Sequence, residues 1–173
     1  MMLVLGLDPG LRHTGWGVVE VQGNRLRFVA AGVVDTDAGD ELARRLVTLH
    51  DGLAEVVRRY APTVAAVEET VVNKNAASSL KLGHARGVIM FTAAAAGLPV
   101  TEYPSKTVKR AVVGTGAAEK EQVAAMIRIL LPGAGVYRSD ATDALAVAVC
   151  HANRTSTVAA IGRSVRSVVG GVA

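Results

Sequence analysis

The chain has 173 residues, half of them hydrophobic, with 19 Lys and Arg against 15 Asp and Glu for a net charge of +4. That length suits one domain with a buried core, and the composition excludes a chain disordered throughout. A single cysteine, Cys150, excludes an internal disulfide and a cysteine-based zinc cluster, and one Trp, three Tyr and two Phe are too few for a platform of stacked bases.

Residues 3–7 form an apolar run broken only by Gly6, the pattern of a buried strand, and it closes on Asp8. Asp8-Pro9-Gly10 is turn chemistry. A second strand is expected over 14–21, and Gln22-Gly23-Asn24 reads as a hairpin turn into a third over 25–34. Leu42, Leu46, Leu49, Leu53, Val56 and Tyr60 recur every three or four residues, which predicts a helix over 40–60 with Asp40 as its N-cap. Pro62 ends it, and residues 63–67 read as a fourth, buried strand closing on Glu68 and Glu69. After a polar loop at 73–79, residues 80–96 are helical in pattern, and Gly83, Gly87 and the alanines at 93–96 permit close approach of another helix. A fifth strand is expected over 98–103, a short helix capped by Ser105 to Val113, a helix over 117–131 stopped by Pro132, and a last helix capped by Ser139 from Asp140 to about Asn153. No stretch reaches the roughly 20 apolar residues that cross a bilayer, so a soluble protein of the reducing cytoplasm is expected. Three meandering strands followed by alternation predict an α/β fold, a five-stranded mixed sheet flanked by helices, over residues 1–153. Residues 154–173 are expected to be a basic, flexible C-terminal tail.

Four acids stand at chemically informative places. Asp8 ends the first strand and Glu68 the fourth, while Asp140 and Asp143 open the last helix three residues apart and so share a face. Each alone has an ordinary explanation, a turn-former or a partner for the helix dipole. Together they make a carboxylate cluster that repels itself unless hard divalent cations such as Mg²⁺ neutralise it. A pair of such ions can hold a phosphodiester and activate a water. The charge is also uneven: from residue 74 to 120 bases outnumber acids by five, and residues 154–173 add three bases and no acid. A phosphate-binding strip therefore adjoins the acids. His13, His50, His84 and His151 have no zinc-ligand spacing, and Cys150 reads as a small core residue.

Six blocks, in order, resemble one family. They are Leu5-Gly6-Leu7-Asp8-Pro9-Gly10 with Thr14-Gly15-x-Gly17, Val67-Glu68-Glu69, Leu80-Lys81-Leu82-Gly83-x-Ala85-Arg86-Gly87, Val108-Lys109, Val112-Val113-Gly114-x-Gly116-x-Ala118-Glu119-Lys120, and Asp140-Ala141-x-Asp143-Ala144-Leu145-Ala146. They are similar to the RuvC family of bacterial Holliday-junction endonucleases, whose fold is ribonuclease H-like. The resemblance implies a homodimer that makes paired, symmetric, Mg²⁺-dependent nicks in a four-way DNA junction during recombination and repair. It implies two ions per site, with Mn²⁺ able to substitute, and cooperation with the RuvA–RuvB branch-migration complex. By the same resemblance Asp8, Glu68, Asp140 and Asp143 are the metal-binding acids, and Lys109 and Lys120 are functional lysines that hold phosphates at the scissile bond. Lys74, Lys81, Arg86 and Arg110 belong to the DNA-binding strip, and the long helix is the dimer element. Val71, followed by Val72, stands where some members carry an aromatic that stacks on a base, and a hydrophobic wedge between unstacked bases is the expected substitute.

Three other readings are open on sequence. Asp8-x-Gly10 followed by Gly15 resembles the first phosphate loop of actin-like ATP-handling proteins, which need two such domains. A non-catalytic junction-binding protein would keep the basic strip but have no use for Asp8 and Glu68. A related nuclease of the same fold, acting in ribosomal RNA maturation, is the nearest enzymatic alternative.

Overall fold

β1 (Met2–Asp8) alternates its side chains across the sheet, and that alternation sets the layers of the molecule. Leu5 and Leu7 point to one face, where they meet Leu53, Val56, Ile89 and Ala93. Val4 points to the other, among Val108, Val112, Val123, Ile127 and Leu145. The computed structural model describes residues 1–69, 75–135 and 137–169, with side chains described as far as Thr155.

β2 (His13–Gln22) and β3 (Arg25–Asp35) complete the expected antiparallel meander. β4 (Val64–Glu69) and β5 (Val100–Pro104) add to the other edge of β1 in parallel, giving the order β3-β2-β1-β4-β5. α1 (Leu42–Tyr60) and α2 (Ala76–Ala95) cover one face. α3 (Ser105–Val113), α4 (Lys120–Leu130) and α5 (Ser139–Val169) cover the other. The five-stranded mixed sheet flanked by helices is as expected.

Several boundaries moved, each for a local reason. Asp40 does not cap α1: its N–H closes a turn on the Asp37 carbonyl, and Glu41 takes the N-cap position without a side-chain bond. α2 starts at Ala76, inside the expected loop, because the Asn75 side chain accepts from the Ser78 N–H at 3.1 Å. α4 starts at Lys120 rather than 117, where Glu119 and Gln122 form a reciprocal capping box. Ser105 and Ser139 are the first residues of their helices rather than caps. α5 runs to Val169, past the end expected near Asn153, since no proline interrupts its propagation.

The part of α5 from Ala141 to Ala152 is buried almost all round. Its alanines fit because the sheet beneath is hollowed by glycine. A Cβ on Gly6 would stand 2.1 Å from the Ala144 carbonyl oxygen, and one on Gly15 would stand 1.9 Å from that of Asp140. The first turns of α5 therefore lie directly on the backbones of β1 and β2.

Candidate active site

Parallel pairing puts Leu7 beside Val67, so the next residues along, Asp8 and Glu68, come side by side at the C-terminal ends of β1 and β4. The period-2 alternation turns both toward α5, the face of Val4 and Ala66. Gly15 is the antiparallel partner of Asp8 and also the residue that admits the Asp140 backbone. The first turn of α5, with Asp140 and Asp143, thus crosses the strand ends that carry the other two acids.

The electrostatics register this convergence. Burial pushes the Asp8 carboxyl up to about 8, with further upward pressure from Glu68, Asp143 and Asp140. Glu68 is also raised, first by burial, while the Ser105 hydroxyl donates to it and Lys120 and Lys109 oppose the shift. Lys120 Nζ stands 3.2 Å from an Asp143 carboxylate oxygen, and that partner raises the lysine's own pKa. Asp8, Glu68, Asp143, Lys109, Lys120 and Ser105 line one open cleft of about 140 Å³. That is below the size of a small-molecule or nucleotide pocket, roughly 300–1,000 Å³, so the actin-like reading gains no support. Asp140 is not one of the residues that line the cleft; its carboxylate acts on Asp8 through its charge and lies 4.0 Å from the Arg138 guanidinium.

The donor set is all oxygen and carries excess negative charge, which fits a hard divalent cation. Among the described residues no three acidic, histidine or cysteine side chains are placed so that they could together hold a metal ion. Unneutralised carboxylates repel, and here Lys120 is paired with Asp143 instead.

Other residues singled out in the sequence lie elsewhere. Arg86 is turned onto Glu102 of β5 in a half-buried ion pair, so its charge is already matched. Lys81 and Arg110 are exposed on α2 and α3, outside the cleft. Lys74, Val71 and Val72 lie outside the described residues. Cys150 is fully buried and its thiol is pushed up to about 11 by burial, as suits an inert core residue.

Sequence reasoning missed Ser105 as a partner of Glu68 and missed a cluster beside Asp140. Arg138 donates to both carboxylate oxygens of Asp35, at 2.9 and 2.7 Å, and His13 Nδ1 lies 2.6 Å from the same carboxylate. Arg138, then His13, hold the Asp35 carboxyl below its usual range. The register pair His13–Asp35 carried no signal in the sequence, because pairing across a hairpin this long is known only once the register is known.

The model of the family described as crossover junction endodeoxyribonuclease RuvC matches residues 4–151 of the chain. The chain belongs to the RuvC family. The RuvC of Acidiphilium cryptum (strain JF-5) is 59% identical over 158 residues, 91% of this chain and 95% of that protein. The RuvC of Rhodospirillum rubrum is 60% identical over 152 residues, 88% and 90% of the two chains. Among solved structures, T. thermophilus RuvC in complex with a Holliday junction substrate superposes with a TM-score of 0.84 at 37% identity, covering 91% of this chain and 96% of that one. The ribonuclease H-like fold expected from the sequence is the RuvC fold.

Proposed function

We propose that this chain is a structure-selective endonuclease that resolves four-way DNA junctions in recombination and repair. It does so by paired symmetric nicks that leave ligatable 5′-phosphate and 3′-hydroxyl ends. The observation that carries the reading is the meeting of Asp8, Glu68 and Asp143 with Lys109 and Lys120 in one cleft of a RuvC-family chain. Asp8, Glu68, Asp140 and Asp143 are the groups that would hold Mg²⁺, with Mn²⁺ as a substitute. Two bound ions supply charge neutralisation at the phosphate and a water of lowered pKa. Lys109 and Lys120 hold the scissile strand by its phosphates, for which a compact ammonium on a flexible stem is suited. By donating to Glu68, Ser105 favours its ionised form against the burial that raises its pKa, and would orient it as a ligand.

The outer face of α2 supports a homodimer. Leu80 and Phe91 are 65% and 64% exposed, and Gly83 and Gly87 between them have nothing within 4 Å of where a Cβ would stand. A two-fold dimer would present two identical clefts to a two-fold substrate, which symmetric nicking requires. Family membership extends the reading to cooperation with the RuvA–RuvB complex.

The test is nicking of an end-labelled synthetic four-way junction in Mg²⁺. Paired cuts at symmetric positions are expected, reduced on the order of a thousandfold in Asp8→Asn while junction binding survives. Binding without cutting in the unaltered protein would leave only a junction-binding role, and preferential cleavage of structured RNA would favour the ribosomal RNA reading. Ca²⁺ in place of Mg²⁺ should permit binding and suppress cutting, because its coordination is looser.

A further inference from the structure

We infer that Asp35, Arg138 and His13 form a clamp that pins the first turn of α5 to the sheet, making them positioning residues for Asp140. The inference rests on the reading of Asp140 as a functional acid, and it concerns residues that lie outside the cleft.

His13 opens β2 and Asp35 closes β3, and the two are direct cross-strand partners. Arg138 stands at the entry to α5, where its carbonyl oxygen accepts from the Thr142 N–H at 3.2 Å and from the Thr142 hydroxyl at 3.3 Å. One residue therefore joins two structures. Its backbone begins the helical ladder, and its side chain grips the end of the β2–β3 hairpin. Nη1 makes both bonds to Asp35, and Nη2 lies 2.8 Å from His13 Nδ1 and 4.0 Å from the Asp140 carboxylate. His13 Nδ1 serves either neighbour according to its tautomer: it donates to Asp35 or accepts from Arg138.

An isolated surface ion pair contributes little, but a guanidinium held on both carboxylate oxygens and by a third group is geometrically fixed. This geometry matters because Asp140 follows Arg138 by two residues. The same turn rests on Gly15, which passes beside Asp8. With the clamp closed, the turn is held from its entry and from beneath. With it open, the entry of the turn is released: Asp143 keeps its Lys120 partner, while Asp140 loses its fixed position opposite Asp8 and Glu68. Groups that orient metal-binding carboxylates typically change cation affinity or turnover by about 10–100-fold when removed.

The experiment compares the full chain with Arg138→Ala, Arg138→Lys, Asp35→Asn and the Asp35→Asn/Arg138→Ala double variant. Asp35→Asn keeps the side-chain shape, so it guards against loss of fold, which thermal unfolding without cation checks directly. Three quantities are read: the Mn²⁺-induced rise in unfolding temperature without DNA, the single-turnover nicking rate on saturating junction, and junction affinity in Ca²⁺. Arg138→Ala and Asp35→Asn should each weaken Mn²⁺ binding and slow nicking by about tenfold, with junction affinity changed less than about twofold. The double variant should be no worse than either single one, as for residues that act as a unit. Arg138→Lys should recover part of the loss. Should Arg138→Ala weaken the junction complex and leave Mn²⁺ binding intact, Arg138 is a phosphate contact and the clamp is wrong. An Asp35→Asn variant that matches the unaltered chain in all three readouts also overturns it. Intact nicking in Asp140→Asn would instead sink the underlying reading of the acids.

Discussion

Burial and three neighbouring acids act on Asp8, and that environment makes a testable demand. A carboxyl with a pKa of about 8 in the folded chain against 3.8 in its ordinary state keeps its proton preferentially when folded. Its contribution to stability is therefore fully present below pH 3.8, falls as pH rises, and is lost once pH passes about 8. Asp8→Asn removes this dependence. The metal-free variant should unfold at a higher temperature than the parent at pH 8.5 and show a smaller difference at pH 5, by thermal scans with chelator present. An equal difference at both values would mean that Asp8 is not held protonated. Lys109 belongs to the same scale. Lys109→Ala should slow nicking and lower the slope of junction affinity against salt by about one phosphate contact. An unchanged slope would remove it from the phosphate path.

At the scale of elements, the close seat of α5 on β1 and β2 is what brings the acids together. Gly15→Ala cannot be absorbed by a flexible side chain, because the obstacle is the Asp140 backbone itself. It should lower stability by about 1–3 kcal/mol, the usual cost of overpacking, and reduce nicking more than binding, as seen by urea unfolding and junction assays. The end of α1 offers the opposite case. Ala61, whose N–H closes the last turn on the Val57 carbonyl, takes a left-handed conformation (φ 44°) that turns the chain out of the helix before Pro62. Glycine carries no Cβ penalty there, so Ala61→Gly should stabilise the chain by about 0.5–1 kcal/mol, after the entropy glycine adds to the unfolded state. A fall in the urea midpoint would count against that account.

For the whole molecule, the proposed homodimer makes a demand on the outer face of α2. Phe91→Asp should shift sedimentation from dimer to monomer and convert paired nicking into unpaired single nicks. A monomeric parent, or a variant that still nicks in pairs, would remove α2 as the interface. The described residues contain no helix long and apolar enough to cross a membrane.

Apolar patterning together with turn and cap residues put the strands and helices in their observed order, and the position of Asp8, Glu68, Asp140 and Asp143 at element ends marked them as candidates. Periodicity is a local property, so the chain's own order displays it. Helix starts were less legible: Asn75 and the Glu119–Gln122 box displaced expected boundaries through bonds three residues long that compete with other plausible caps. Charge along the chain located a basic strip but could not tell Lys109 and Lys120, at the cleft, from Arg86, already spent on Glu102. What the sequence by itself determined was the set of elements and the kind of chemistry their ends carry. Only the tertiary structure decided which charges meet, including Arg138 with Asp35 across 103 positions, because an ion pair depends on distance in space and register, neither of which a linear order contains.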